Sequence, residues 1–132
     1  MKIALDMMGG DFAPQEAVNG VALYLASNQD DVKLLLIGDQ EQIKPLLSQK
    51  NIVSDRIEIV HAAEVIGMHE HPTKALKEKQ QSSISLGFKL LSEENADAFI
   101  GAGNTGAMMV GALHSIKAIE GVSRPTIGAY LP

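Results

Sequence analysis

At 132 residues, with 45% hydrophobic and 20% charged residues, the chain has the length of one domain and the composition of an ordinary globular protein, which excludes a disordered tail-like polypeptide. A formal charge of −5 argues against a nucleic-acid partner, because such proteins need clustered Lys and Arg to displace counterions from phosphates. The absence of Cys excludes a disulfide framework, a thiolate metal site and a Cys nucleophile.

Lys2 to Leu5 is a short apolar run that reads as a strand, and it ends in the loop Asp6 to Pro14. Asp6 and Gly9-Gly10-Asp11 interrupt the run too early for a signal peptide. Pro14 is placed to open a helix, and Gln15 to Ser27 carries Ala17, Val18, Val21, Ala22 and Leu25 at helical spacing. Val32 to Ile37 is a second strand, Gly38 turns it, and Asp39 is a candidate cap for a helix with Ile43, Leu46 and Leu47 on one face. A third strand is expected at Arg56 to Val60, followed by a polar loop from His61 to Pro72. Thr73 to Glu94 reads as helical, with a break near Gln81-Ser82-Ser83, and Ala96 to Ile100 as a fourth strand. Gly101-Ala-Gly-Asn-Thr-Gly106 then opens a helix from Ala107 to Ile119, and a fifth strand is expected at Thr126 to Leu131. No stretch approaches the roughly 18 apolar residues of a membrane-spanning helix.

Strands alternating with helices imply parallel pairing through right-handed crossovers, hence an α/β layered fold with helices on both faces of a mainly parallel sheet. Such sheets bind ligands at the carboxyl ends of their strands, where both glycine-rich loops fall. The chain stops just after an apolar strand, so residues 1–132 are expected to be the amino-terminal part of a longer α/β domain.

The Gly101–Gly106 loop lies between a strand and a helix, where backbone N–H groups and the helix dipole favour an anion. Asn104 and Thr105 add side-chain donors. A tight turn that needs Gly only for its geometry is the competing reading, and spacing does not separate the two. Asp6 and Asp11 bracket Gly9-Gly10; Asp11 could cap the next helix and Asp6 could orient a lysine or a loop amide. Lys74, Lys77 and Lys79 precede Ser82-Ser83, which are either hydroxyl donors to a phosphate or the cap of a second helix. His69-Glu70-His71 resembles a metal-ligand pair on extended backbone, but nothing nearby supplies a third ligand, and a loop surface is expected instead. No metal and no cofactor is assigned.

Four segments in order, Ile3 to Pro14, Ile66-Gly-Met-His-Glu-His-Pro72, Ala102-Gly-Asn-Thr-Gly-Ala107 and Gly121-Val-Ser-Arg-Pro125, resemble the phosphate acyltransferase family of fatty acid and phospholipid synthesis. The resemblance implies a three-layer fold like that of isocitrate and isopropylmalate dehydrogenases and phosphotransacetylases. It also implies a homodimer at the inner face of the cell membrane, cytoplasmic and only peripherally attached, with the membrane-contacting region downstream. Its partners would be acyl carrier protein, inorganic phosphate and a glycerol-phosphate acyltransferase acting next. By motif, Asp6, Gly9, Gly10 and Asp11 form the first active-site loop, Ser82 and Ser83 follow the basic helix, and Gly103, Asn104, Thr105 and Gly106 form the phosphate-side loop. Asp6 and Asn104 are the candidate catalytic groups, and Gly9, Gly10, Asp11, Lys79, Ser82, Ser83, Gly103, Thr105 and Gly106 the candidates for substrate and phosphate binding.

The implied reaction has phosphate attack the thioester carbonyl of acyl carrier protein, through a tetrahedral oxyanion, with a thiolate leaving. No enzyme nucleophile is required, which suits a chain without Cys. The rival readings are a phosphotransacylase using coenzyme A thioesters and a non-catalytic module that binds acyl-phosphate or carrier protein.

Overall fold

The structure is a computed structural model that describes residues 1–122 together with Thr126 and Gly128. Its elements in chain order are β1 (Lys2–Asp6), α1 (Gln15–Ser27), β2 (Lys33–Gly38), α2 (Gln40–Gln49), β3 (Ile57–His61), α3 (Pro72–Glu78), α4 (Ser83–Ser92), β4 (Ala98–Ile100) and α5 (Thr105–Ser115). The strands form one sheet in the order β3-β2-β1-β4, and every neighbouring pair is parallel. The α/β class expected from the sequence is the one observed.

β2 explains the layering. Leu34 to Gly38 are all buried, and successive side chains of a strand point to opposite faces. Leu34 and Leu36 pack with Val18 and Val21 of α1 and Ile43 and Leu47 of α2. Leu35 and Ile37 pack on the other face with Ala4, Leu86 and Leu90, the last two from α4. A strand apolar at consecutive positions is what a parallel sheet covered on both sides requires. Behind α4 a third cluster joins Ile84 and Phe88 to Ala75 of α3 and Ala107 of α5, so α3 and α5 pack mainly on α4 and on each other. Phe88 and Phe99 lock α4 to β4 as a T-shaped pair with centroids 5.2 Å apart.

Several boundaries differ from expectation for identifiable reasons. The helical region breaks as predicted: α3 ends at Glu78 and α4 begins at Ser83, where the Ser82 hydroxyl accepts from the Ser85 N–H at 3.2 Å. β4 starts at Ala98 rather than Ala96, because the N–H groups of Asn95 and Ala96 close the end of α4 on the Leu90 carbonyl. α5 begins at Thr105, two residues earlier than expected, because Asn104 caps it. Pro14 occupies the cap position of α1 instead of its first turn, and no side chain caps that helix, so Asp11 does not serve there. The strand expected at Thr126 to Leu131 and the end of the Gly121–Pro125 motif lie outside the described residues, apart from Thr126 and Gly128.

Candidate functional site

Reading outward from β1, the chain places β2 and β3 on one side and β4 on the other. The order therefore reverses between β1 and β4, and such a switch point opens a crevice beyond the strand ends. Pairing of Ile3 with Ala98 and Leu5 with Ile100 brings the loop after β1 and the loop after β4 side by side. Sequence spacing could not show this, since it carries no strand order.

The two loops meet backbone to backbone. A Cβ built on Gly9 would lie 2.5 Å from both the Gly103 nitrogen and Asp6 Oδ2, and one on Gly103 would lie 3.1 Å from that same oxygen. Glycine at these positions is a requirement of close approach. Gly10, at φ 101°, turns the first loop toward Ala102. Asp6 sits between the loops with 6% of its surface exposed; its Oδ1 accepts from the Met8 N–H at 3.0 Å. Burial pushes the Asp6 carboxyl above its ordinary range, while hydrogen bonds from the Ser83 hydroxyl and from the N–H groups of Met8 and Gly9 pull it back down. The stability linked to that raised pKa is fullest below the ordinary carboxylate range and is lost as pH rises through the folded value.

Asn104 is buried and engaged at both ends. Its Oδ1 accepts from the Ala107 N–H at 3.0 Å, capping α5. Its amide donates to the carbonyls of Gly67 and Glu70, each at 3.0 Å, with a longer contact of 3.4 Å to Met68. The next two N–H groups, of Thr105 and Gly106, have no protein acceptor among the described residues, as expected for a first helical turn. Thr105 is exposed. Pro72, the first residue of α3, packs against Gly106, where a Cβ would come within 2.6 Å of its Cγ.

The structure thus gathers Asp6, Gly9, Ser83 and Gly103 around one point, with Thr105 and Gly106 at the adjoining helix end. Ser82 has no exposed surface and caps α4, one of the two roles its sequence allowed. The Lys79 ammonium is not free: it meets Glu70 Oε1 at 2.6 Å and the Val65 carbonyl at 2.7 Å. Lys74 pairs only loosely, at 4.0 Å, with Glu78 on an exposed helix face. Asp11 is exposed. His69 and His71 are exposed and flank Glu70, and among the described residues no three His, Cys, Asp or Glu side chains are grouped to hold a metal. The role of Glu70 was missed from the sequence. Its signal was Gly67-x-x-Glu70, a carboxylate three residues beyond a glycine, and the Glu70 Oε1 accepts from the Gly67 N–H at 2.6 Å.

On the α1 side of β1, a cavity of about 480 Å³ is lined by Ile3, Leu5, Phe12, Val21, Tyr24 and Ile100 and borders Asp6, Gly9 and Gly10. Among the described residues no helix is long and apolar enough to cross a membrane.

Taken together, the fold and this crevice define a parallel α/β protein that brings two glycine loops and the amino terminus of α5 to the switch point of its sheet. The chain belongs to the fatty acid synthesis protein family, whose model matches residues 1–132. It is 48% identical over its whole length to a phosphate acyltransferase of Acetivibrio thermocellus and 48% identical to one of Dictyoglomus turgidum. A phosphate acyltransferase of Chlorobaculum tepidum is 47% identical over 95% of the chain. The chain spans 38–39% of the length of these relatives.

Proposed function

We propose that these residues form the amino-terminal part of a single α/β acyltransferase domain that transfers a fatty acyl group from acyl carrier protein to inorganic phosphate. The product, acyl-phosphate, would supply phospholipid synthesis. The observation that carries this reading is the pair of N–H groups, of Thr105 and Gly106, that have no protein acceptor among the described residues at the β1/β4 crevice. The names of the relatives supply the class of reaction. Phosphate held there presents an oxygen to the thioester carbonyl; the new O–C bond forms first, giving a tetrahedral oxyanion, and its collapse restores the carbonyl and breaks the C–S bond, whose electron pair leaves with the thiolate.

The main-chain amides position the phosphate and spread its charge without reorganising at the moment of reaction. Asp6 and Asn104 act as positioning residues: Asp6 joins the two loops and Asn104 fixes the helix end. A thiolate is a stable leaving group, so no strong general acid is needed. The whole protein would work as a homodimer in the cytoplasm, peripherally attached to the inner face of the membrane through downstream regions. A glycerol-phosphate acyltransferase would consume its product.

Thr105→Pro in a full-length chain, meaning these residues within a protein of the relatives' length, tests the reading, because Pro is tolerated at the first position of a helix and deletes the N–H itself. One hydrogen bond to a charged group contributes about 1.5–3 kcal/mol. The KM for phosphate should therefore rise about tenfold or more, while stability stays within about 0.5 kcal/mol of wild type, as for an exposed position. Unchanged phosphate dependence would rule out this site.

A further inference from the structure

We propose that Glu70 and Lys79 are positioning residues for the phosphate-side loop, acting through Asn104 rather than by touching phosphate; this rests on the reading above. The segment Val65 to Glu70 has no helix or strand of its own, so its backbone polar groups need partners from elsewhere. Two side chains supply them from opposite directions. Glu70 Oε1 accepts from the Gly67 N–H and from Lys79 Nζ, both at 2.6 Å, and Lys79 also donates to the Val65 carbonyl. From the other side, Asn104 donates to the carbonyls of Gly67 and Glu70. Gly67 is thereby held at its N–H by the ion pair and at its carbonyl by the residue that caps α5. Any shift of this segment is felt at Asn104, and through its Oδ1 at the first turn of α5.

The character of the ion pair supports a local task. Lys79 and Glu70 keep 31% and 37% of their side-chain surface exposed, and pairs exposed to water contribute little to global stability. Lys74–Glu78 and Lys89–Glu93, at 4.0 and 3.9 Å along their own helices, are ordinary solvated pairs. Glu70–Lys79 differs because it crosses from an irregular loop to the end of α3, and because each partner also binds a backbone group of the same loop. The Lys79 hydrogen bond, helped by the Gly67 N–H, holds the Glu70 carboxyl below its ordinary range, so it remains ionised across the neutral range in which activity would be assayed.

The test uses a full-length chain carrying Glu70→Gln, Lys79→Met, both together, or Lys79→Arg, with Thr105→Pro, which deletes a main-chain N–H, as the reference for direct phosphate contact. Glu70→Gln and Lys79→Met should each raise the phosphate KM about tenfold, with kcat within about threefold and an unchanged melting temperature. The double variant should be no worse than either single, because residues of one network are not additive. Lys79→Arg, which keeps the charge, should recover most of the loss; if Lys79→Met does not fold, it decides the matter together with Glu70→Gln. The inference is overturned if Thr105→Pro raises the phosphate KM while Glu70→Gln leaves it unchanged. It is equally overturned if Lys79→Met is far worse than Glu70→Gln and their effects add, the mark of a lysine on the phosphate itself. If Thr105→Pro changes nothing, the phosphate site is what fails, and the inference falls with it.

Discussion

Gly9→Ala is expected to lower the turnover of a full-length chain about a hundredfold or more while costing only about 1–3 kcal/mol of stability. The new methyl would lie 2.5 Å from the Gly103 nitrogen and 2.8 Å from its Cα. Neither atom belongs to a flexible side chain that can swing aside, so the loops after β1 and β4 must separate. Overpacking of this kind costs about 1–3 kcal/mol, but a displacement near 1 Å in the reacting geometry can remove about two orders of magnitude in rate. Gly20→Ala is the matched control: nothing lies within 4 Å of its Cβ position, and Ala in a helix should gain up to about 1 kcal/mol over Gly. Melting curves and kcat for the two variants check this, and a fully active Gly9→Ala protein would show that the loops need not touch.

The second large effect concerns Asn104, where two replacements separate two duties. Asn104→Ala removes the α5 cap and leaves the Gly67 and Glu70 carbonyls without their donor. A lost cap costs about 0.5–2 kcal/mol and a buried group left unpaired about 1–3 kcal/mol, so destabilisation of about 2–4 kcal/mol is expected. Asn104→Asp keeps an oxygen for the Ala107 N–H and places a negative charge favourably at a helix start, so it should lose less stability. It cannot donate to the loop carbonyls, however, and its charge opposes a bound phosphate, so its phosphate KM should rise further than that of Asn104→Ala. Chemical denaturation and phosphate saturation curves for both variants test the argument. Wild-type stability in Asn104→Ala would mean that the hydrogen bonds of this side chain contribute nothing.

Those hydrogen bonds also show where sequence reading stops. The run Leu34 to Ile37 announces a strand covered on both faces, and the break before Ser82-Ser83 announces two helices, because periodicity and capping are local properties. Strand order is not local. That β4 lies beside β1, making the switch point between the glycine loops, depends on pairing across 95 residues, as between the Lys2 N–H and the Asp97 carboxylate at 2.6 Å. The side-chain amide of Asn104 reads from sequence as a donor to a ligand, yet its partners are carbonyls of residues 67 to 70, more than 30 positions away. Its capping role was open to inference, since Asn directly before an apolar helix is a favoured cap. Lys79 reads as a free cation for the same reason: its partner Glu70 sits inside a His-Glu-His pattern that draws attention to the imidazoles. Asp6, Gly9 and Gly103 were found as motif residues, but their mutual contact belongs to the fold.

Crystals of a full-length chain grown in phosphate bear most directly on whether a phosphate oxyanion is held at the start of α5. The account predicts phosphate oxygens about 3 Å from the N–H groups of Thr105 and Gly106, beside the Gly9–Gly103 contact. Phosphate bound elsewhere, with those two N–H groups turned toward protein carbonyls, would contradict it.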